Sequence, residues 1–362
     1  MLIEKLILEN YRIFTKREFN FRKGLNLVLG NNSTGKTTIL ESIFFLFSGE
    51  LVNNFSPINH NQDFARIFLK LIFNDIFFEI SAILKRKNSR FDKTLMLNEK
   101  KIESYKILKN KFLSPFLLNA FDISFQDPEN KRNIIDRFLK IINPEFSNIE
   151  YNLKRVIKQK TSILKSGNYS DIIESLNSKI AELSSLITLK RIEGIKSIGD
   201  DLNNACRKFW HNIENIKIIY TPGFNLPINL TNEKNIQQND LKEQYLKAIK
   251  INTKKEVENQ KVLVSSNRDN FEFILITKQK EYFIKNIFSQ SQINIFILLF
   301  FLNLVRQIKK VYNYYPILLL DEPFVFLDSL NTEKILKILY TYPQVIISSN
   351  KDLELINHKI FL

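Results

Sequence analysis

The chain has a single cysteine, Cys206, in 362 residues. No disulfide can close within it, which suits a reducing cytoplasm. Its three histidines, His60, His211 and His358, are scattered, and no Cys/His spacing suits a metal. There is no internal repeat and no low-complexity tract. The most apolar run, Ile293 to Val305, is interrupted by Asn294 and Asn303. It falls short of the roughly 20 residues that cross a bilayer, so a buried helix is expected there, and no membrane partner. The opening Met1 to Glu9 alternates and carries charge, so it reads as a strand and not a signal peptide. Acids are outnumbered, 38 Asp and Glu against 53 Lys and Arg, for a net charge of +15 and a pI near 9.5. That excess suits a polyanion such as nucleic acid. AT-rich coding produces the same bias, so charge alone does not decide.

What is present is periodic. Residues 1–29 read as two or three strands, and Thr38 to Phe47 as a buried helix. Arg66 to Phe73 and Ile76 to Leu84 read as an antiparallel hairpin about Asn74-Asp75. From about 130 to 216 the period turns helical. Ile173, Leu176, Ile180, Leu183 and Ile187 fall on one helix face, with Ser170 or Asp171 as its cap. Thr221-Pro-Gly breaks the pattern, and 222–239 reads as an irregular connection. A helix is expected over Asp240 to Gln260, then strands at Val262 to Ser265, Phe271 to Ile276 and Glu281 to Ile284. Ile317 to Leu320 and Gln344 to Ser348 read as buried strands about a helix at 329–340. Strand–helix–strand order implies a parallel sheet covered on both faces.

Gly30-Asn31-Asn32-Ser33-Thr34-Gly35-Lys36-Thr37 is a complete phosphate-binding loop between a strand and a helix. Its glycines let N–H groups turn toward phosphate oxygens, and the following helix aims its positive end there. Lys36 reaches the β and γ phosphates, the Thr37 hydroxyl holds Mg²⁺, and Thr38 completes the nucleotide-binding set. Pro316 to Glu322 is an apolar strand ending in two carboxylates. Asp321 serves Mg²⁺ through water, and Glu322 orients or deprotonates the attacking water. ATP and Mg²⁺ are therefore the expected ligands.

Phe288-Ser289-Gln290-Ser291-Gln292 precedes the apolar helix and resembles the signature loop of ABC-type ATPases. There a serine at a helix start caps the γ-phosphate of the other subunit. Ser289, Ser291 and Gln292 are the candidates, against a plain N-cap serine. The family pattern has glycine where Ser291 stands. Asp328 lies in a loop matching the one that crosses between subunits. Ser349 and Asn350 replace a switch histidine.

These matches run the length of the chain and resemble the RecF family of bacterial recombination and gap-repair ATPases. Leu6 to Arg12 looks like its first strand and turn. Arg132, Asp136 and Arg137 are in register with its central basic motif. Tyr151 to Ser166, Tyr220-Thr-Pro-Gly223 and Ser266-Asn267-Arg268-Asp269 follow in order. Glu322-Pro323 departs toward SMC-type proteins, and an Arg-rich stretch is mostly absent from Leu51 to Gln62.

The resemblance implies an α/β ABC/SMC-type P-loop ATPase head, a mixed sheet with flanking helices, carrying an inserted mostly helical lobe. The expected division is 1–125 and 241–362 for the head and 126–240 for the lobe. It implies a cytoplasmic homodimer formed with ATP on DNA, slow DNA-stimulated hydrolysis, and RecA loading with RecO- and RecR-type mediators. Candidate DNA-facing clusters are Lys85-Arg86-Lys87, Lys109/Lys111, Lys131/Arg132 and Lys309/Lys310. The alternatives are an ATPase subunit of a defence or nuclease system, a weakly hydrolysing clamp, and an ABC transporter subunit.

Overall fold

The structure is a computed structural model. It describes residues 1–52, 55–87, 90–118, 127–167, 172–210, 213–230, 235–277 and 280–362. The expected caps Ser170 and Asp171 lie outside them. In chain order the elements begin with β1 (Leu2–Tyr11), β2 (Phe14–Asn20), β3 (Gly24–Leu29), α1 (Lys36–Ser48), β4 (Phe64–Phe73), β5 (Ile76–Lys87), β6 (Arg90–Leu97), β7 (Lys100–Ile102), α2 (Tyr105–Lys111) and β8 (Phe116–Leu118). Then come α3 (Pro128–Ile142), α4 (Phe146–Ser166), α5 (Ile172–Lys196), α6 (Gly199–Phe209), β9 (Asn215–Thr221), β10 (Ile228–Asn229) and α7 (Gln238–Asn259). The chain closes with β11 (Asn270–Thr277), β12 (Lys280–Phe283), α8 (Ile284–Ile287), α9 (Gln290–Tyr312), β13 (Leu318–Asp321), α10 (Ser329–Leu339), β14 (Gln344–Ser349) and β15 (His358–Phe361).

Two compact units result, Met1–Ile123 with Ile308–Leu362, and Ser124–Gln307. The first has the expected α/β architecture, its parallel and antiparallel strands and flanking helices arranged about two sheets. An antiparallel sheet runs β2-β1-β4-β5-β6-β7, and an all-parallel sheet runs β15-β3-β14-β13-β8. The β4–β5 hairpin turns at Asn74 and Asp75 with φ of 49° and 61°, values a type I′ turn requires. In the parallel sheet every described position of β13 and β14 is buried, as their unbroken apolar runs demand. Its outer strands β8 and β15 escape sequence reading, because three- and four-residue runs are too short for periodicity to mark.

The second unit is not only helical. It carries a sheet of order β10-β9-β11-β12, in which β9 pairs with β11 along seven residue pairs. That pairing draws 241–307 into this unit and away from the C-terminal head segment to which the sequence had been divided. No strand forms at Val262 to Ser265; instead the Glu256 carboxylate accepts the Leu263 N–H at 2.7 Å and ends the connection. Helix α5 was expected to bury one face. Its second half is buried nearly all round, including Ser184, Ser185, Thr188 and Arg191.

The buried polar residues of α5 have partners. Arg191 makes a bidentate pair with Asp136, both bonds 2.8 Å, and donates to Asp269 at 3.0 Å and to the Ser266 carbonyl at 2.6 Å. Asp269 is fully buried. It accepts from Tyr220 at 2.7 Å and from Thr188, Tyr245 and the Gly223 N–H at 2.8 Å. A Cβ on Gly223 would lie 2.0 Å from the Ser265 carbonyl, so only glycine fits there. Arg132 donates to the Asp269 carbonyl at 2.7 Å. Three of the four separated motifs that carried the resemblance in this unit, those at Arg132, Tyr220 and Ser266, thus meet in one buried network. Burial pushes both tyrosine hydroxyls well above their ordinary titration range, with the Asp269 charge adding to the effect.

Helix α9 is long and apolar enough to cross a membrane by length and composition, yet 78% of its most apolar window is buried in the protein. The sequence expectation of a buried helix holds.

Candidate nucleotide site

Strand β3 delivers the loop Gly30–Gly35, and α1 leaves it at Lys36. Two glycines let the loop close. Gly35 has φ of 99°, and a Cβ there would lie 2.6 Å from both Ile13 and Phe14. A Cβ on Gly30 would lie 2.6 Å from Thr34 Oγ1. The loop is braced from within, since Thr34 Oγ1 donates to the Asn31 carbonyl at 2.9 Å. Asn31 and Asn32 are exposed at its tip. Ser33 holds a φ of 67°.

Helix α1 begins with no side-chain cap and no acid in its first turn. Its first N–H groups have no intrahelical acceptor, so an anion is the natural partner. Lys36 is 5% exposed, and its ammonium reaches the Gly30 and Asn31 carbonyls, each at 2.9 Å. Thr38 is buried on the same first turn.

Both carboxylates arrive at the end of β13, separated from β3 by β14 in the parallel sheet. β13 ends at Asp321, whose oxygens accept Thr37 Oγ1 at 3.0 and 2.9 Å. Ser348 on β14 donates to Asp321 at 2.5 Å. Its hydroxyl and carbonyl also receive the Glu322 N–H, at 2.9 and 3.2 Å. Glu322 takes a φ of 49°, a strained value that turns its side chain off the strand line. Its carboxylate lies 3.1 Å from the Lys36 ammonium and accepts the Asn350 N–H at 3.3 Å. Burial raises the Asp321 carboxyl above its ordinary value, while hydrogen bonds from Ser348 and Thr37 oppose that rise.

Residues 284 positions apart therefore form one cluster. Sequence reasoning named Lys36, Thr37, Asp321 and Glu322 but missed Ser348. Its one visible sign was a serine ending an apolar strand. A second unassigned pair stands on α1, where Arg12 bonds the buried Glu41. Burial raises the Glu41 carboxyl, and the Arg12 charge opposes it.

The donor set suits the expected ligands. Backbone N–H groups and an ammonium face one place, as a polyphosphate needs. A hydroxyl and a carboxylate beside them are hard oxygen donors of the kind Mg²⁺ takes.

Ser289 belongs to the other unit. There it forms a capping box: Gln292 N–H donates to Ser289 Oγ at 3.3 Å, and Ser289 N–H donates to Gln292 Oε1 at 2.8 Å. The N-cap role weighed from sequence is therefore real. It spends a lone pair of the Ser289 oxygen and leaves its O–H proton to donate elsewhere. Ser291 stands in the first turn between them. Asp328 caps α10 through the Asn331 N–H at 2.7 Å.

The basic clusters separate. Lys131 is buried and donates to the Phe271 carbonyl at 2.8 Å, and burial draws it down to about 8. Lys131 and Arg132 thus brace the fold, which corrects their candidacy for DNA. Arg86 is tied to the Asn59 and Gln62 carbonyls, and Lys87 pairs with Asp92. Lys309 lies over the Tyr315 ring.

A family model described as an AAA domain matches residues 5–214. Curated relatives match over nearly the whole chain, under the description DNA replication and repair protein RecF. The protein of Alkaliphilus oremlandii is 26% identical, with 91% of this chain and 88% of that one covered. For Clostridium beijerinckii the figures are 28%, 92% and 88%, and for Streptococcus suis 27%, 96% and 93%. A solved structure of the recombination mediator protein RecF with ATPrS, in the RecFOR pathway, superposes with a TM-score of 0.82 at 19% identity. It covers 99% of this chain and 95% of that one. A second, with ATP, gives 0.78 at 19% identity, covering 97% and 94%.

Proposed function

We infer, from a chain that belongs to the RecF family of AAA-domain proteins, that this protein binds and slowly hydrolyses ATP and dimerises on DNA. In that reading it supports recombinational repair of gaps and stalled replication by helping to load a RecA-type recombinase. The observation that carries it is the cluster of Lys36, Thr37, Asp321 and Glu322. Relatives under the same description cover over nine tenths of the chain. RecO- and RecR-type mediators are the partners expected from the RecFOR pathway to which the superposable structures belong.

In this scheme the Gly30–Thr37 backbone and Lys36 hold the polyphosphate. Mg²⁺, when bound at Thr37 and Asp321, neutralises phosphate charge. Glu322 accepts the proton of the attacking water, its carboxylate aimed by the Asn350 N–H. Ser289, with its O–H left free by the capping box, donates to the γ-phosphate held by a second copy. The shared phosphate favours the dimer, and hydrolysis removes that bond and releases it.

Two substitutions test this scheme. Glu322→Gln keeps the side-chain shape and an acceptor for Asn350. We expect ATP binding to persist, turnover to fall about 100-fold or more, and the ATP-dependent dimer to outlive the parent's. Single-turnover hydrolysis and light scattering read both, and an unchanged dimer lifetime rejects Glu322 as the base. Ser289→Arg should bind ATP as the parent does and stay monomeric. Dimerisation at the parent's nucleotide concentration removes the shared-phosphate idea. Light scattering with ATP and gapped DNA at two salt concentrations tests the function as a whole: no ATP-dependent complex on DNA would sink it.

A further inference from the structure

We propose that the outward face of α4, from Tyr151 through Arg155, Lys158 and Ser162 to Lys165, is a track for the phosphates of nucleic acid. The proposal rests on the DNA-binding reading above and gives it a surface. The five positions are spaced by four, three, four and three residues, so they lie on one helical stripe. All are exposed, Tyr151 at 68%. The stripe contains no carboxylate. The one acid of α4, Glu150, lies on another side, engaged by Lys140 at 3.0 Å and Lys154 at 2.5 Å.

Surface lysines on other helices mostly show the opposite arrangement where a carboxylate is near. Lys179 pairs with Glu182, Lys190 with Glu193 and Lys337 with Glu333, each three or four residues away. Among the described residues Arg155, Lys158 and Lys165 have no carboxylate partner. Helix α7 also carries lysines, at 247, 250 and 254, but Glu243 and Glu258 bracket them on the same stripe.

The rotation of α4 is set from inside. Lys160 is buried against Glu256 of α7, whose other oxygen accepts the Leu263 N–H. Lys160 points about 180° from the stripe at 100° per residue, so a pair that is costly to break holds the basic face outward. From Arg155 to Lys165 the helix rises about 15 Å, the reach of roughly four phosphates along one strand. Tyr151 at the end adds a ring on which a base or sugar can stack. Cation spacing, absence of acid and an aromatic at one end together favour a polyanion over an acidic protein surface.

The test is a salt series of binding to a 30-base-pair duplex with ATP and Mg²⁺. The stripe variant R155Q/K158Q/K165Q is compared with K179Q/K190Q/K337Q, which removes the same charge from paired lysines. We expect the stripe variant to bind about tenfold or more weakly at ~0.1 M salt. Its log affinity should fall with log salt by about 2.7 less than the parent's, for three lost contacts. The control triple should stay within about twofold, and basal ATP turnover should match the parent in both. Equal losses in the two triples would reduce the effect to net charge and overturn the track. So would parental DNA affinity in the stripe variant, including one that loses retention on an acidic protein. If the parent chain itself binds no DNA, the DNA-binding reading fails and the track falls with it.

Discussion

In a titration with a fluorescent ATP analogue, Lys36→Ala is expected to bind at least about 100-fold more weakly than the parent. The ammonium is nearly buried and already aimed by two carbonyls at 2.9 Å, so it costs little further ordering to meet a phosphate. A charge-assisted bond of this kind contributes about 1.5–3 kcal/mol, and one factor of ten is about 1.4 kcal/mol. Alanine removes that bond and the charge opposing the phosphates. It also leaves Glu322 facing the polyphosphate without its ammonium partner, and the like charges repel. Both losses fall on the same equilibrium. Affinity within about threefold of the parent would mean that Lys36 serves the loop and not a nucleotide.

The second large effect lies in the other unit. Asp269→Ala is expected to cost about 3–5 kcal/mol in the denaturant transition of that unit. Asp269 is fully buried and carries five side-chain and backbone donors, among them the Arg191 guanidinium and two tyrosine hydroxyls. Alanine leaves the Tyr220 hydroxyl buried with no acceptor. It also takes the shorter bond from the Gly223 N–H, which keeps the Tyr245 oxygen at 3.3 Å, while Tyr245 keeps Thr188 at 2.8 Å. A buried bond left unmade is costlier than the pairs themselves are favourable. Asp269→Asn preserves one acceptor oxygen and should cost less. A shift below about 1 kcal/mol for the alanine variant would show that the network is incidental to stability. Because two units unfold in one chain, the transition must be followed with a probe inside this unit, such as the single Trp210.

Much of the nucleotide site was legible in the sequence because phosphate recognition is local. Gly30 to Thr37 are consecutive, and their chemistry depends on backbone geometry that a short motif fixes. The apolar run at 317–320 announced a buried strand, and its two terminal acids announced a site. Ser348 stayed silent because its role is relational. It matters only since β14 lies beside β13 in parallel register, with Asp321 opposite Ser348. The motif around Arg132 was misread in part for the same reason. A Lys-Arg pair looks like surface until the chain brings Phe271 and Asp269 to meet it. The boundary at 240 follows the end of an irregular connection and the start of a helical pattern, both local signs, whereas the β9–β11 pairing that moves it is a long-range contact.

The sequence by itself determined the phosphate loop, the two carboxylates, the longer strands and helices of the head and the burial of α9, since each follows from neighbours in the chain and from apolar period. Only the tertiary structure decided which distant polar groups would share a buried charge. Desolvation forces Arg191, Asp136 and Asp269 to find partners, and no local pattern names a partner 55 or 78 residues away. It also decided which of the many lysines are spent inside the fold and which, as on α4, are left facing water.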